Sequence, residues 1–336
     1  MIQRLIGIAA LTAITSPAFA AEAKWYADFD EAQKVAVAEG KDLLVDFTGS
    51  DWCGWCIKLD NEVFEHAEWQ EGVAANYVLV ALDYPRGEEA KAKVPNPERN
   101  RELQQTYGVT GFPTIMLMTS EGEVYGRTGY QAGGPAAYLE HMAELRAEGR
   151  KALKMSKRIQ GAFEGAADDA AKWKVWGSAV ELLEGLSAGS PFAEGMAKIV
   201  RWGYETDAKN ERGARLRSAA ALLAVGLQED EHIEFVEAND PRNEQGYLEM
   251  VAVARISRVR DDASARAAVA MVQKVNEFGF KDKELAFDLN FQIVRWGMGP
   301  LRDPEVARAH AQVCKELGTE DAEALKVLEQ ALAEKG

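Results

Sequence analysis

From residue 28 to about residue 148, short apolar runs alternate with stretches in which apolar positions recur every three or four residues. The string "DLLVDF" at 42–47 is nearly continuous in apolar side chains and too short for a stable helix, which predicts a central strand buried on both faces. "YVLVALD" at 77–83 predicts a second strand. "TIMLM" and "EVYGRT", separated by Ser120, Glu121 and Gly122, predict a hairpin. Helices are expected between them. One has Asp28 as N-cap, Glu31 three residues on and Gly40 at its end. A second runs from Cys53 to about Val63. A third begins at Pro97 behind Asn96 and stops before Gly108, and a fourth runs from Pro135 to near Gly149. Strands interleaved with helices predict an α/β domain, a mixed sheet flanked by helices, over residues 21–149.

Beyond residue 149 the alternation disappears. Leu325, Leu328 and Leu332 recur at helical spacing with Lys326, Glu329 and Gln330 between them, and earlier segments follow the same pattern. Residues 150–336 are therefore expected to form an all-α domain, an array of helical hairpins. The string "IVRWG" occurs at 199–203 and again at 293–297, an echo of a duplicated unit or a coincidence in a helix-rich segment. Residues 1–20 differ from both parts. Arg4 lies in a short cationic start, "LIGIAALTAI" is an apolar run about half as long as a bilayer span requires, and "SPAFA" ends in small residues. That layout predicts a secretory signal peptide cleaved after Ala20, and hence an exported, periplasmic or envelope protein that is not inserted in the membrane.

The 336 residues are 47% hydrophobic, enough for two cores. The net charge of −15, or −16 once Arg4 leaves with the signal, argues against nucleic acid or anionic lipid as partner. The chain has three cysteines, too few for a disulfide-built scaffold.

Two of the three stand in "DWCGWC", residues 51–56. A strand ending at Phe47 and the small-residue loop "TGSD" place Cys53 at the start of a helix, where unpaired N–H groups and the helix dipole favour an anion. A thiol of ordinary pKa near 8.5 is about 3% thiolate at pH 7, and one lowered to about 7 is half ionised. Cys56 lies one turn on, near enough for a disulfide to close and reopen. As a staple the pair would constrain only a four-residue loop. As a metal site it lacks a second CxxC or paired histidines, His66 and His141 being isolated, and as a haem attachment site it lacks the histidine, since Ile57 follows Cys56.

"LLVDFTGSDWCGWCIKL" together with "YGVTGFPTIMLM" resembles the thioredoxin superfamily, in particular the thioredoxin-like domains of exported bacterial thiol:disulfide interchange proteins; the likeness covers about residues 24–148. The resemblance implies Cys53 as attacking nucleophile and Cys56 as resolving thiol. It implies a cis peptide before Pro113, with Phe112 and Thr114 beside it offering backbone to an extended substrate, and Gly129 lining the same groove. Asp46 corresponds to the family's buried proton acceptor but stands seven residues before Cys53 rather than six. Trp52 and Gly54 are expected to belong to the substrate-facing surface around the sulfurs, Trp55 to be either an exposed substrate contact or a spacer that tunes the potential, and Gly54-Trp55 in place of Gly-Pro leaves the direction of electron flow open. The implied activity is thiol–disulfide oxidoreduction, reducing or isomerising disulfides of envelope proteins, with no dissociable cofactor, no metal, and a thiol protein as electron donor or acceptor. The competing reading is a redox-inert or redox-sensing scaffold whose helical domain recruits a partner. The charged string "PRGEEAKAKVPN" at 85–96 is expected to be a solvated excursion, Lys58 and Glu62 a surface pair, Cys314 a buried inert thiol, and Trp173, Trp176, Trp202 and Trp296 core packing or the lining of a partner-binding groove.

Overall fold

The structure, a computed structural model, describes residues 24–333. The expected signal segment lies outside the described residues. Five strands, β1 (Trp25–Tyr26), β2 (Asp42–Thr48), β3 (Tyr77–Asp83), β4 (Thr114–Met118) and β5 (Val124–Thr128), form one mixed sheet in the order β1-β3-β2-β4-β5. β2 runs parallel to β3 and antiparallel to β4, β1 is parallel to β3, and β5 is antiparallel to β4. The helices of this region are α1 (Phe29–Glu39), α2 (Gly54–Leu59), α3 (Ala67–Ala74), α4 (Glu88–Lys91), α5 (Pro97–Thr106) and α6 (Gly134–Glu164).

Every residue of β2 is buried, which is why its sequence reads as a continuous apolar run rather than an alternation. Leu43, Val45 and Phe47 pack with Val80, Leu82 and Met116, with Phe29, Ala32 and Ala36 of α1, and with Leu103 of α5. Because strand side chains alternate, Leu44 and Asp46 face the other side of the sheet. α1 is bounded as its sequence dictates. The Asp28 carboxylate accepts the Glu31 N–H at 2.9 Å, and Gly40 ends the helix at φ 64°, a left-handed conformation that glycine adopts without a Cβ clash.

The chain divides into two compact units between Ala147 and Glu148, within α6. The expected stop of this helix near Gly149 is wrong: α6 continues to Glu164. Gly149 does not take the left-handed conformation of a helix-ending glycine. With "RKALKMSKR" after it, the roughly 1 kcal/mol disadvantage of one interior glycine is outweighed by strong helix formers.

The second unit is all helical among its described residues. After α6 come α7 (Asp169–Glu184), α8 (Ala193–Thr206), α9 (Ala214–Ala224), α10 (Asp230–Asn239), α11 (Tyr247–Ser257), α12 (Asp262–Phe278), α13 (Lys283–Met298), α14 (Pro304–Leu317) and α15 (Ala322–Ala333). Two of its connections are copies. "DAKNERG" after α8 and "DPRNEQG" after α10 stand 33 residues apart. In the first, the Asp207 carboxylate accepts the N–H of Arg212 and Ala214; in the second, Asp240 accepts from Gln245 and Tyr247. Asn210 and Asn243 both have φ 54°, and Gly213 and Gly246 close the turns at φ 72° and 82°. The "IVRWG" strings lie in α8 and α13, and in each the Ile, Val and Gly are buried. A Cβ on Gly203 would meet the Trp176 indole at 2.1 Å, and one on Gly297 the backbone of Ala307 at 2.8 Å, so both glycines permit close helix contact.

Candidate active site

The register of the sheet builds the site. Phe47 near the end of β2 pairs with Thr114 at the start of β4, so Pro113 lies beside the loop leading from β2 to Cys53. Thr48 pairs with Asp83 at the end of β3, which brings the segment after β3 to the same edge. The loop is tied down there: Ser50 donates to Asp83 from its N–H at 2.9 Å and its hydroxyl at 2.6 Å.

Cys53 is the N-cap of α2, with φ −87° and ψ 99°, and forms a disulfide with Cys56 across a Cα–Cα distance of 5.3 Å. The Cys53 sulfur accepts the Cys56 N–H at 3.2 Å, the contact that would hold a thiolate in the reduced pair. Cys53 is 6% exposed and Cys56 1%, so the first cysteine is the more accessible of the two. Gly54 opens the helix with nothing within 4 Å of where a Cβ would stand, leaving room above the sulfurs. After α2 the chain makes a π-helical turn, Asp60–Phe64.

The peptide between Phe112 and Pro113 is cis. Thr114 donates its hydroxyl to the Gly111 carbonyl at 2.8 Å, and a Cβ on Gly129 would come within 3.1 Å of the Pro113 carbonyl, so Gly129 does face this element. Trp52 joins it to the disulfide loop. Its ring packs edge-on to Phe112 at 5.7 Å, its indole N–H donates to the Tyr84 carbonyl at 2.9 Å, and a Cβ on Gly49 would touch the indole at 2.7 Å. Trp55 is different: 58% exposed, it rests 5.1 Å from the Tyr130 ring with the Lys58 ammonium over both rings. Tyr130 donates to Glu62 at 2.5 Å, and Lys58 and Glu62 are 3.7 Å apart.

Asp46 is buried in β2, and its Oδ1 has no hydrogen-bond partner among the described residues. Burial, then the negative charges of Asp60 and Asp83, hold its pKa well above the ordinary 3.8, which makes its carboxylate a stronger base than an exposed aspartate. Asp60, in the π-helical turn, is itself pushed up to about 6 by burial, Glu65 and Asp83. Two further carboxylates, Asp60 and Asp83, thus act on the acid that the sequence picks out singly. Asp60 and Asp83 carry no local signal; Asp83 could have been found only from the strand register.

The string at 85–96 is exposed or half-buried throughout, as a solvated excursion should be, but it is tied down at its start. It contains α4, and the Asp51 carboxylate accepts the N–H groups of Arg86, at 2.9 and 3.1 Å, and Gly87, at 2.6 Å. The Arg86 guanidinium lies 3.9 Å over the Trp52 ring. The acid one residue before Trp52, unremarked in the sequence, is what anchors the segment. Cys314 in the second unit is buried and unpaired, and burial pushes its thiol up to about 12. Among the described residues no group of three or more His, Cys, Asp or Glu is placed to hold a metal ion, and no helix is long and apolar enough to cross a membrane.

Comparison with known proteins places this site among relatives. A thioredoxin-like domain family profile matches residues 29–144. The disulfide bond reductase DsbH of Chlamydia pneumoniae is 35% identical over 127 residues, 37% of this chain and 74% of the relative. The thioredoxin-related protein DsbJ of the same organism is 25% identical over 289 residues, 81% of this chain and 76% of the relative, so that likeness runs on into the helical unit. A solved structure of a DsbH oxidoreductase is 30% identical and covers 41% of this chain and 94% of its own, with a TM-score of 0.33.

Proposed function

The chain belongs to the thioredoxin superfamily, and from that premise we propose that it is an exported thiol–disulfide oxidoreductase that reduces or isomerises protein disulfides through Cys53 and Cys56. The observation that carries this reading is the Cys53–Cys56 disulfide at a helix start, its more accessible cysteine on the loop beside the cis Phe112–Pro113 element. Export is supported by the cationic, apolar and small-residue layout of residues 1–20.

In the reduced protein the Cys53 thiolate attacks one sulfur of a substrate disulfide. The other substrate sulfur leaves as a thiolate and takes a proton, and a mixed disulfide forms at Cys53. Cys56 then attacks the Cys53 sulfur, losing its proton as it does so, and releases the second substrate thiol. The substrate gains two electrons, and the protein is left as the disulfide seen in the structure. Asp46, buried with its unpartnered oxygen in the strand leading to this loop, is the acceptor for the Cys56 proton, and the surrounding carboxylates tune it. The substrate lies extended against Phe112, Pro113 and Thr114, with Gly129 leaving its path open and Trp52 and Trp55 flanking the sulfurs. No dissociable cofactor enters this cycle; a thiol protein returns the electrons.

The test is turnover of a protein disulfide with a thiol donor present. Cys53→Ser is expected to abolish turnover, and Cys56→Ser to accumulate a substrate-linked mixed disulfide visible on non-reducing gels. Wild-type turnover by Cys53→Ser would return the scaffold reading.

A further inference from the structure

Both tryptophans of "DWCGWC" carry a cation on the ring: Arg86 over Trp52 at 3.9 Å, and Lys58 over Trp55 at 5.2 Å. The two cations differ in what else holds them. Lys58 has Glu62 at 3.7 Å, so its charge is matched locally. Arg86 opens a charged segment whose other ions pair among themselves, Lys91 with Glu88 at 2.7 Å and Lys93 with Glu89 at 3.0 Å. Asp51 lies near enough for the Arg86 charge to help lower its pKa, behind the backbone N–H groups of Arg86 and Gly87 as the main causes. Its oxygens are engaged by those N–H groups, and among the described residues no carboxylate forms an ion pair with the Arg86 guanidinium. Arg86 is exposed and sits over the residue that immediately precedes Cys53.

We propose that Arg86 is a specificity-determining residue of the exchange reaction, binding a carboxylate side chain that flanks the reacting cysteine of the substrate protein. This rests on the oxidoreductase reading above. The Trp52 ring covers one side of an otherwise exposed side chain, and the guanidinium carries its N–H donors in a fixed fork that matches a carboxylate bidentately. The arginine is pre-positioned at both ends: Asp51 fixes its backbone, and Trp52, itself held by Tyr84 and Phe112, fixes its head. Little side-chain freedom is left to lose on binding, so the contact is worth more than a free surface pair. It also offers an acidic partner a local attraction on a chain whose net charge of −15 would otherwise repel it.

The test uses the full chain and three synthetic peptides with one intramolecular disulfide each, differing only in the residue beside the first cysteine: Asp, Gln or Lys. The readout is the ratio of kcat/KM for the Asp peptide to that for the Lys peptide. For the wild type this ratio is expected at about 5 in low salt, falling toward 1 as salt screens the contact. Arg86→Glu is expected to invert it. Asp51→Asn, which weakens the backbone anchor, is expected to bring it part of the way to 1. Lys174→Glu, the same charge change on an exposed residue of the helical unit, is expected to leave the ratio at the wild-type value. Arg86→Glu with an unchanged ratio, or a ratio moved equally by Lys174→Glu, would overturn the proposal while leaving the oxidoreductase reading intact. Reduction of none of the peptides by the wild type would overturn both.

Discussion

Replacing Asp60 by asparagine isolates the energetic consequence of keeping a second carboxyl group behind the disulfide. Asp60 is partly buried at the first position of the π-helical turn, and burial, Glu65 and Asp83 together raise its pKa from 3.8 to about 6. In the unfolded chain the same group titrates near 3.8. Between those pH values the native protein holds a proton that the unfolded chain has lost, so stability falls as pH rises through the window and is level on either side of it. At 1.36 kcal/mol per pH unit the shift corresponds to about 3 kcal/mol, and screening of the exposed part of the side chain reduces this toward about 1–2 kcal/mol. Asparagine keeps the shape and cannot ionise. In urea unfolding of the oxidised protein, Asp60→Asn minus wild type should be a fixed offset near pH 3.5. It should grow in favour of the variant between about pH 4 and 6, and level off above 7 with a gain of about 1–2 kcal/mol over its acid value. The same variant removes a negative charge facing Asp46, so the pH dependence of the resolving step should move to lower pH. A stability difference independent of pH, or one growing in the opposite direction, would refute the electrostatic reasoning.

Three further expectations follow from the same geometry. Asp46→Asn should slow resolution of the mixed disulfide by about 10²-fold in single-turnover kinetics, while raising the stability of the oxidised protein at neutral pH, because a buried acid with a raised pKa loses stability as pH climbs above 3.8. Unchanged resolution would remove Asp46 from the proton path. Gly129→Ala, whose Cβ would stand 3.1 Å from the Pro113 carbonyl, should raise KM about tenfold with a smaller effect on kcat, read from peptide-disulfide turnover; an unaltered KM would place the substrate elsewhere. Cys314, buried with its thiol pushed up to about 12, should resist iodoacetamide in the reduced native protein at pH 7.5 and react only on unfolding, as resolved by peptide mass mapping.

How much of this could be read in advance depended on the range of the interactions involved. The N-cap at Asp28, the left-handed Gly40 and the fully buried β2 were legible because each is fixed by side chains within a few residues. The CxxC at a helix start was legible for the same reason. The cis peptide before Pro113 came from the resemblance, since nothing local to Phe112 and Pro113 forces it. Two-residue β1 was missed because two residues carry no periodicity, and α6 was cut short because Gly149 looks like a stop signal unless its backbone angle is known. The repeated Asp-x-x-Asn-Glu-x-Gly turns stand in the sequence as a shorter and gapped match than "IVRWG", and their shared φ values are what mark them as copies. The carboxylates around Asp46 and the seat of Arg86 on Trp52 join residues more than a dozen positions apart; the pairing of Thr48 with Asp83 brings Asp83 and the segment after β3 to the disulfide loop, and the turn after α2 supplies Asp60.

The most direct measurement is equilibration of the Cys53–Cys56 pair with glutathione buffers, following the two thiols by alkylation and mass. A working reductase or isomerase pair should interconvert reversibly, with a midpoint between the roughly −270 mV of thioredoxin and the roughly −180 mV of protein disulfide isomerase rather than near the roughly −120 mV of a strong oxidant. A pair that stays oxidised across the whole series, or one that titrates near −120 mV, would contradict the account.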